Sequence, residues 1–272
     1  MQRTLRPHQQ EALRWAESRN VIGLIHDMRL GKSLVLIRWI AKKKAKRILL
    51  VCGKSVMVPW QDELSAEGQD FVVLSGTKDQ RVQQTLSGHA KARWFLSNPE
   101  SLIVPGQKSV TTEKSLAVSS VLAELRWDAV IIDESTCLMN PKSQISQVCC
   151  STFKEVPYRA IATGYADPKS LLDLYQQMKF LNGSFMGCKN YWEFRGKYFW
   201  NFGSWAWNLM PSMKPVIQSA VRELCHVRTM ADIGFTEKRV EQKRLVELSS
   251  RNRKAYDTAE KNFLVGDEET KY

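Results

Sequence analysis

Short apolar runs alternate with amphipathic stretches between residue 20 and about residue 180 of this 272-residue chain. The apolar runs are rich in Val and Ile, which favour strands, and the stretches between them repeat their apolar residues at helical spacing. This alternation predicts an α/β fold with a mainly parallel sheet and helices on both of its faces. We expect strands at residues 21–25, 48–52, 71–74, 94–97, 129–132 and 159–163, and helices at residues 33–44, 60–67, 79–86, 113–125, 143–153 and 168–180.

Two later segments depart from this alternation. Residues 191–207 hold nine aromatic residues in seventeen positions. We expect an aromatic-rich insertion with a small core of its own, because Trp and Phe at this density must bury much of their area. The alternative is a set of stacking platforms for nucleic-acid bases, helped by Arg195 and Lys197. From about Leu245 the chain becomes polar and charged, so we expect a lobe at residues 1–245 and a linker at residues 246–272.

Composition narrows the class of protein. The 40 Lys and Arg residues exceed the 28 Asp and Glu residues, and the net charge of +12 favours a polyanionic partner such as nucleic acid, although a merely basic protein is the alternative. No apolar run is as long as a membrane helix, and the first residues lack a secretory signal. We therefore expect a cytoplasmic protein without a membrane partner. The six cysteines and four histidines have no zinc-site spacing, so we expect no zinc.

A phosphate-binding loop is predicted where Gly31, Lys32 and Ser33 follow an apolar run and open a helix. In such a loop the backbone N–H groups cradle the phosphates, the lysine ammonium reaches the β- and γ-phosphates, and the hydroxyl ligates Mg²⁺. The full pattern also has a glycine five residues before Gly31, where this chain has His26. The local motif alone is therefore incomplete.

A second acidic site is predicted at Asp133 and Glu134, which end the apolar run at residues 129–132. The carboxyl ends of parallel strands meet at one edge of the sheet, so Asp133 can lie beside the phosphate loop and hold Mg²⁺. Glu134 would then polarise the attacking water. The alternative is a pair of solvated acids after a core strand.

Six segments, taken in order, resemble the motifs of the Swi/Snf-type branch of helicase superfamily two. The first is Leu5-Arg6-Pro7-His8-Gln9, and the others are residues 27–33, 48–56, 95–100, 133–140 and 162–165. The sequence departs from the family pattern at Arg29, which replaces a glycine, at Gly53, which replaces a proline, and at Thr136, which replaces a histidine. Tyr165-Ala166 also alters the last motif.

The resemblance implies a RecA-like P-loop NTPase lobe that binds ATP and Mg²⁺. Lys32 and Glu134 would be catalytic, and Ser33 and Asp133 would hold Mg²⁺. The residues implied to contact ATP are Arg6, Gln9, Met28, Arg29, Leu30, Gly31, Lys32 and Ser33. The residues implied to contact nucleic acid are Lys54, Ser55, Ser97, Asn98 and Thr163. The basic run at residues 42–47 precedes a strand, so we expect it at the opposite end of the sheet.

Members of this family have two such lobes, and the second carries an arginine that accelerates phosphoryl transfer by roughly 10³–10⁵-fold. Too few residues follow residue 180 for a second lobe, so we expect a fragment or a natural half that hydrolyses ATP very slowly and needs a second lobe in cis or in trans. We interpret the chain as one lobe of a phage or bacterial translocase on double-stranded or branched DNA. A non-catalytic module that binds nucleic acid or protein is the alternative, and a small-molecule P-loop kinase is a weaker one.

Overall fold

A computed structural model describes residues 3–88, 92–103, 125–164, 171–201, 203, 207–234 and 247–269. The chain divides into two compact units, residues 1–235 and residues 236–272. The first unit contains the sheet and every predicted site residue. In the described part of the second unit the main element is a helix.

The first unit is built on a seven-stranded sheet in which every pair of neighbouring strands is parallel. Its strands are β1 (Val21–His26), β2 (Ile48–Val51), β3 (Phe71–Val73), β4 (Trp94–Ser97), β5 (Ala129–Asp133), β6 (Tyr158–Thr163) and β9 (Cys225–Arg228). They lie in the order β3-β4-β2-β5-β6-β1-β9. A short antiparallel pair, β7 (Phe199–Trp200) and β8 (Asn208–Leu209), follows the aromatic segment. The predicted α/β fold is confirmed.

Helices connect the strands. They are α1 (Pro7–Glu17), α2 (Lys32–Lys42), α3 (Lys54–Ala66), α4 (Lys78–Gly88), α5 (Gln144–Thr152), α6 (Leu174–Asn182), α7 (Tyr191–Tyr198), α8 (Met213–Leu224) and, in the second unit, α9 (Ser250–Glu269). The helix expected at residues 113–125 falls almost entirely outside the described residues. Among the described residues, no helix combines the length and the apolar character that crossing a membrane requires.

Alternate residues of each strand pack in two separate hydrophobic cores, because neighbouring side chains of a strand point to opposite faces of the sheet. On β5, Ile131 packs in the core that holds Trp39 of α2 and Trp60 of α3. Val130 and Ile132 pack in the other core, beneath α5 and α6. Burial on both faces explains why the strands read as continuous apolar runs.

The aromatic segment has a buried and an exposed side. Phe194, Tyr198 and Phe199 are buried in the core, whereas the Trp192 and Trp200 side chains are 48% and 43% exposed. Phe202 and residues 204–206 lie outside the described residues. The prediction of a separate small core is wrong, because these aromatic rings belong to the same hydrophobic core as Val130 and Ile132 of β5, and the Phe194 ring lies 5.2 Å from that of Tyr175 in α6. The exposed Trp192 and Trp200 are not part of this core.

The described part of the second unit contains α9. Its sequence is strongly polar, and Arg253 forms an ion pair of 3.1 Å with Asp257 one turn later. Assignment of residues 246–272 as a linker remains a prediction.

Candidate functional site

Two residues of the loop between β1 and α2 have a left-handed backbone. Gly31 is left-handed, with φ of +72°, and precedes the first residue of α2. A Cβ at this position would overlap Gln9 Nε2. Gly31 is therefore required both by the backbone conformation and by the close approach of α1. Arg29 is also left-handed, with φ of +65°, at the position where the family usually has glycine.

The Lys32 side chain hydrogen-bonds to the backbone of this loop. Its Nζ donates to the carbonyl oxygens of His26 at 2.9 Å and Asp27 at 3.2 Å. Burial lowers the pKa of Lys32, while the carboxylates of Asp133, Glu134 and Asp27 act in the opposite direction. A partly buried ammonium at a helix start, bonded to two carbonyl oxygens, is suited to binding a polyanionic phosphate.

The start of α1 is attached to the same loop. Gln9 accepts from the backbone N–H of Arg6 at 2.9 Å, and its Nε2 donates to the carbonyl oxygens of Leu30 and Gly31 at 3.4 and 3.3 Å. Arg6 lines a neighbouring cavity of about 530 Å³ with Arg14 and other residues of this end of the lobe. The structure thus brings Gln9 to the loop and Arg6 to the neighbouring cavity, whereas the Met28 side chain is 70% exposed and lies beside Gly164.

Ser33 and Asp133 come together across the sheet edge, in one cavity of about 550 Å³. The Oδ2 of Asp133 accepts from Trp60 Nε1 at 2.6 Å, and its Oδ1 accepts from the Glu134 backbone N–H at 3.1 Å. Burial raises the pKa of Asp133, and these hydrogen bonds and the charge of Lys32 lower it. A hydroxyl and an oriented carboxylate are oxygen ligands of the kind that Mg²⁺ prefers, so these residues fit the ion.

Trp60 is a further site residue, to which the sequence motifs assign no role. Its indole reaches Asp133 from 73 positions away, while its ring packs near Trp94 with centroids 6.3 Å apart. Because the indole fixes one carboxylate oxygen, Trp60 positions Asp133. This contact could not be predicted from the sequence, since it depends on β2 and β5 being neighbours.

The Trp60→Phe variant is expected to weaken Mg²⁺-dependent nucleotide binding by roughly 10-fold, since hydrogen bonds to charged groups contribute about 1.5–3 kcal/mol. Titration of Mg²⁺ against a fluorescent ATP analogue measures this, and binding without Mg²⁺ should not change. The matched control is Trp39→Phe, which removes indole bonds to Ala16 and Arg19 on the same face of the sheet. Equal Mg²⁺ dependence in both variants would contradict the positioning role.

Glu134 is held in a strained conformation beside the last motif. Its backbone is left-handed, with φ of +54°, and its Oε1 accepts from Thr163 Oγ1 at 3.0 Å. The Thr163 side chain is 2% exposed. Thr163 therefore links the acidic motif to the end of β6 even though Thr136 replaces the family's histidine. Tyr165 and Ala166 lie outside the described residues.

The residues predicted to contact nucleic acid differ in their exposure and do not form a single surface. Lys54 and Asn98 line a groove of about 510 Å³ beyond the carboxyl ends of the strands, together with Arg81, which the sequence did not single out. Ser55 is exposed at the start of α3. Ser97 is fully buried, and its Oγ has no hydrogen-bond partner in the described part of the chain. The nucleic-acid roles of these four residues and of Thr163 remain predictions.

Strand β9 supports the phosphate loop from the edge of the sheet and was not predicted. His26 Nε2 and His226 Nδ1 lie 2.9 Å apart in a hydrogen bond, and the Met230 backbone N–H donates to Asp27 Oδ2 at 2.7 Å. Burial, with His226 next, lowers the pKa of His26 to about 3, so His26 is neutral at neutral pH. The histidine that replaces the glycine of the full motif is thus a buried structural residue.

Known proteins resemble this chain in sequence and in fold. Protein CHROMATIN REMODELING 24 of Arabidopsis thaliana is 25% identical over 201 residues, which are 70% of this chain and 18% of that protein. The ISWI chromatin-remodeling complex ATPase ISW1 of Saccharomyces cerevisiae is 25% identical over 188 residues, which are 65% of this chain and 16% of that protein. The solved Sulfolobus solfataricus SWI2/SNF2 ATPase core in complex with dsDNA aligns with a TM-score of 0.66 at 23% identity, covering 85% of this chain and 46% of that one.

This chain thus spans less than a fifth of these two curated relatives. The relatives named above are eukaryotic or archaeal, and they give no support to the predicted phage or bacterial type. The profile described as SNF2-related domain matches residues 8–271. The chain therefore belongs to the SNF2-related domain family.

Proposed function

We propose that this chain is the ATP-binding lobe of a DNA-dependent, helicase-like ATPase or translocase. The observation that carries the proposal is the meeting of Lys32, Asp133 and Glu134 at one edge of the sheet, with Thr163 donating to Glu134. A phosphate-binding cation, a carboxylate for a metal ion and a second carboxylate are the groups that hydrolysis of a nucleoside triphosphate needs. The phage or bacterial type and the cytoplasmic location remain predictions from the sequence.

The proposed roles follow from where the side chains lie. Lys32 binds the β- and γ-phosphates, and Ser33 and Asp133 hold Mg²⁺. When bound, Mg²⁺ neutralises the charge that develops on the phosphate oxygens. Glu134 orients and polarises the water that attacks the γ-phosphorus, and its hydrogen bond from Thr163 fixes the carboxylate.

We propose that a second RecA-like lobe, in cis or in trans, completes the nucleotide site. Two facts support this: the chain spans 46% of the solved SWI2/SNF2 ATPase core, and Lys32, Ser33, Asp133 and Glu134 all lie at the carboxyl ends of β1 and β5. A phosphate-stabilising arginine from a second lobe would raise the hydrolysis rate by roughly 10³–10⁵-fold.

We propose that the groove containing Lys54, Asn98 and Arg81 contacts the phosphate backbone of duplex or branched DNA. The solved relative in complex with dsDNA shares this fold. Exposed cations and short polar side chains suit contacts that position a protein on DNA without reading its sequence. The basic run at residues 42–47 lies between α2 and the first residue of β2, at the opposite end of the sheet.

The Lys54→Ala variant tests the DNA contact. We expect weaker duplex binding on every sequence, and a plot of log affinity against log salt whose slope falls by about one. Fluorescence anisotropy over a salt series measures both effects. The control is Lys44→Ala, an exposed lysine of the opposite end. If Lys44→Ala changes the salt slope as much as Lys54→Ala does, binding depends on overall charge and the proposed groove is wrong.

A further inference from the structure

The outer side of the aromatic segment forms a surface that the proposed function does not use. We define the aromatic-basic surface as Trp192, Arg195, Trp207 and Lys142. The Arg195 guanidinium lies 4.5 Å from the ring centroid of Trp192 and 4.0 Å from that of Trp207. Lys142 Nζ lies 5.3 Å from the Trp192 centroid. Two cations thus share one exposed indole ring.

The Arg195 guanidinium packs against two indole rings. Its side chain makes no hydrogen bond or ion pair with any residue that the structure describes, and its Nε is buried without a partner. Because the described residues offer this guanidinium no acceptor, an anionic ligand would supply one. A guanidinium packed against two rings is also restricted in its motion, which favours binding of a phosphate by the Nη groups.

The charge around this surface favours an anionic ligand. Residues 189–197 contain Lys189, Arg195 and Lys197 against a single acid, Glu193. The Glu193 carboxylate accepts from the Lys189 backbone N–H at 2.9 Å, so it is already engaged. These cations are separate from the Lys54 groove, because they lie on and around α7 rather than on α3.

Trp192 offers an aromatic ring beside a small polar groove. Its side chain is 48% exposed, and it lines a groove of about 250 Å³ between α5, α6 and α7. Gln147, Lys179 and Asn190 line the same groove and supply hydrogen-bonding groups. An exposed ring with polar groups beside it matches a nucleobase, which has a flat face and a hydrogen-bonding edge.

We propose that the aromatic-basic surface binds single-stranded nucleic acid, with an unpaired base stacked on Trp192 and its phosphate held by Arg195 and Lys142. Lys142 is exposed, so its ammonium can move from the ring to the phosphate. Paired bases in a duplex stack on one another and cannot offer a free face, which sets this site apart from the duplex contact. The inference goes beyond the proposed function, because it adds a contact for unpaired bases to the proposed duplex contact.

Binding of labelled oligo(dT) and of a duplex of the same length, measured in parallel by fluorescence anisotropy, tests the proposal. Trp192→Ala is expected to weaken oligo(dT) binding about 10-fold and to leave duplex binding within about twofold, since each stacked base contributes on this scale. Arg195→Lys keeps the charge but loses the stacked plane, so it should also weaken oligo(dT) binding. Trp200→Ala is the matched control, because Trp200 is 43% exposed on the same segment.

Three results would overturn the proposal. The first is that the native chain does not bind oligo(dT) at all; the second is that Trp192→Ala and Trp200→Ala lose oligo(dT) affinity equally; and the third is that Trp192→Ala loses as much affinity for the duplex as for the single strand. Competition by poly-glutamate as strong as competition by unlabelled oligo(dT) would point instead to an acidic protein partner. If Trp192→Ala does not fold, Lys142→Gln carries the test, and unchanged oligo(dT) affinity in that variant overturns the proposal. If the native chain binds oligo(dT) but not the duplex, that result counts against the Lys54 groove and not against this surface.

Discussion

Replacing Lys32 with alanine is expected to weaken binding of a fluorescent ATP analogue by roughly 10- to 100-fold, because hydrogen bonds to charged groups contribute about 1.5–3 kcal/mol each. The ammonium sits among three carboxylates and two loop carbonyls, at 2.9 Å from the His26 oxygen and 3.2 Å from that of Asp27. Without it, a triphosphate would enter a site whose nearest charges are Asp133, Glu134 and Asp27. The loss therefore includes repulsion as well as missing bonds.

A lysine at the far end of α2 serves as the control. Lys43, the residue directly after this helix, also donates to a backbone carbonyl, that of Glu17 at 2.8 Å. Lys43→Ala should leave nucleotide affinity unchanged. The melting temperature of each variant separates lost binding from lost folding. Nucleotide affinity within about twofold of the native value in a folded Lys32→Ala protein would contradict the assigned role.

The local parts of the fold and site could be predicted from the sequence. Strand β1, the loop to Gly31 and the start of α2 are contiguous, and their order alone indicates a phosphate loop. Asp133 and Glu134 end an apolar run, so their position at the end of a strand could also be predicted. In each case the chemistry and the element that carries it lie within about ten residues of one another.

The contacts that complete the site could not be predicted, because they join residues far apart in the chain. The Trp60 indole meets Asp133 only because β2 and β5 are neighbours, and His26 meets His226 only because β9 lies beside β1. Strand β9 itself has only four residues and mixes Cys, His, Val and Arg, so no periodic pattern marks it. Strand order, which brings these residues together, is a property of the whole sheet.

The backbone of Glu134 has a left-handed conformation, which is uncommon for a residue with a side chain. A left-handed conformation at a residue other than glycine costs about 1–3 kcal/mol and persists only where the surroundings fix it. Here Asp133, which accepts from the Glu134 N–H, and Thr163, which donates to its carboxylate, supply that support. Strain held in this way at a charged residue is typical of a functional position, and it directs the carboxylate toward β6.

Replacing Glu134 with glutamine is therefore expected to lower the rate of ATP hydrolysis about 10²–10⁴-fold, the contribution of a positioned general base, while nucleotide affinity stays within about twofold. Glutamine keeps the oxygen that accepts from Thr163 and removes only the negative charge. Phosphate release, with protein in excess over ATP so that a slow reaction remains visible, measures the rate, and analogue binding measures the affinity.

The partner variant Thr163→Val controls for geometry, since it keeps the Glu134 charge and removes the hydrogen bond of 3.0 Å that fixes it. We expect an intermediate loss of rate in Thr163→Val, because the carboxylate remains but is less well oriented. Phosphate release at the native rate by Glu134→Gln would show that this carboxylate is not the base. If the native chain itself released phosphate no faster than Lys32→Ala while still binding nucleotide and DNA, a solitary binding module would explain the lobe better than an ATPase does.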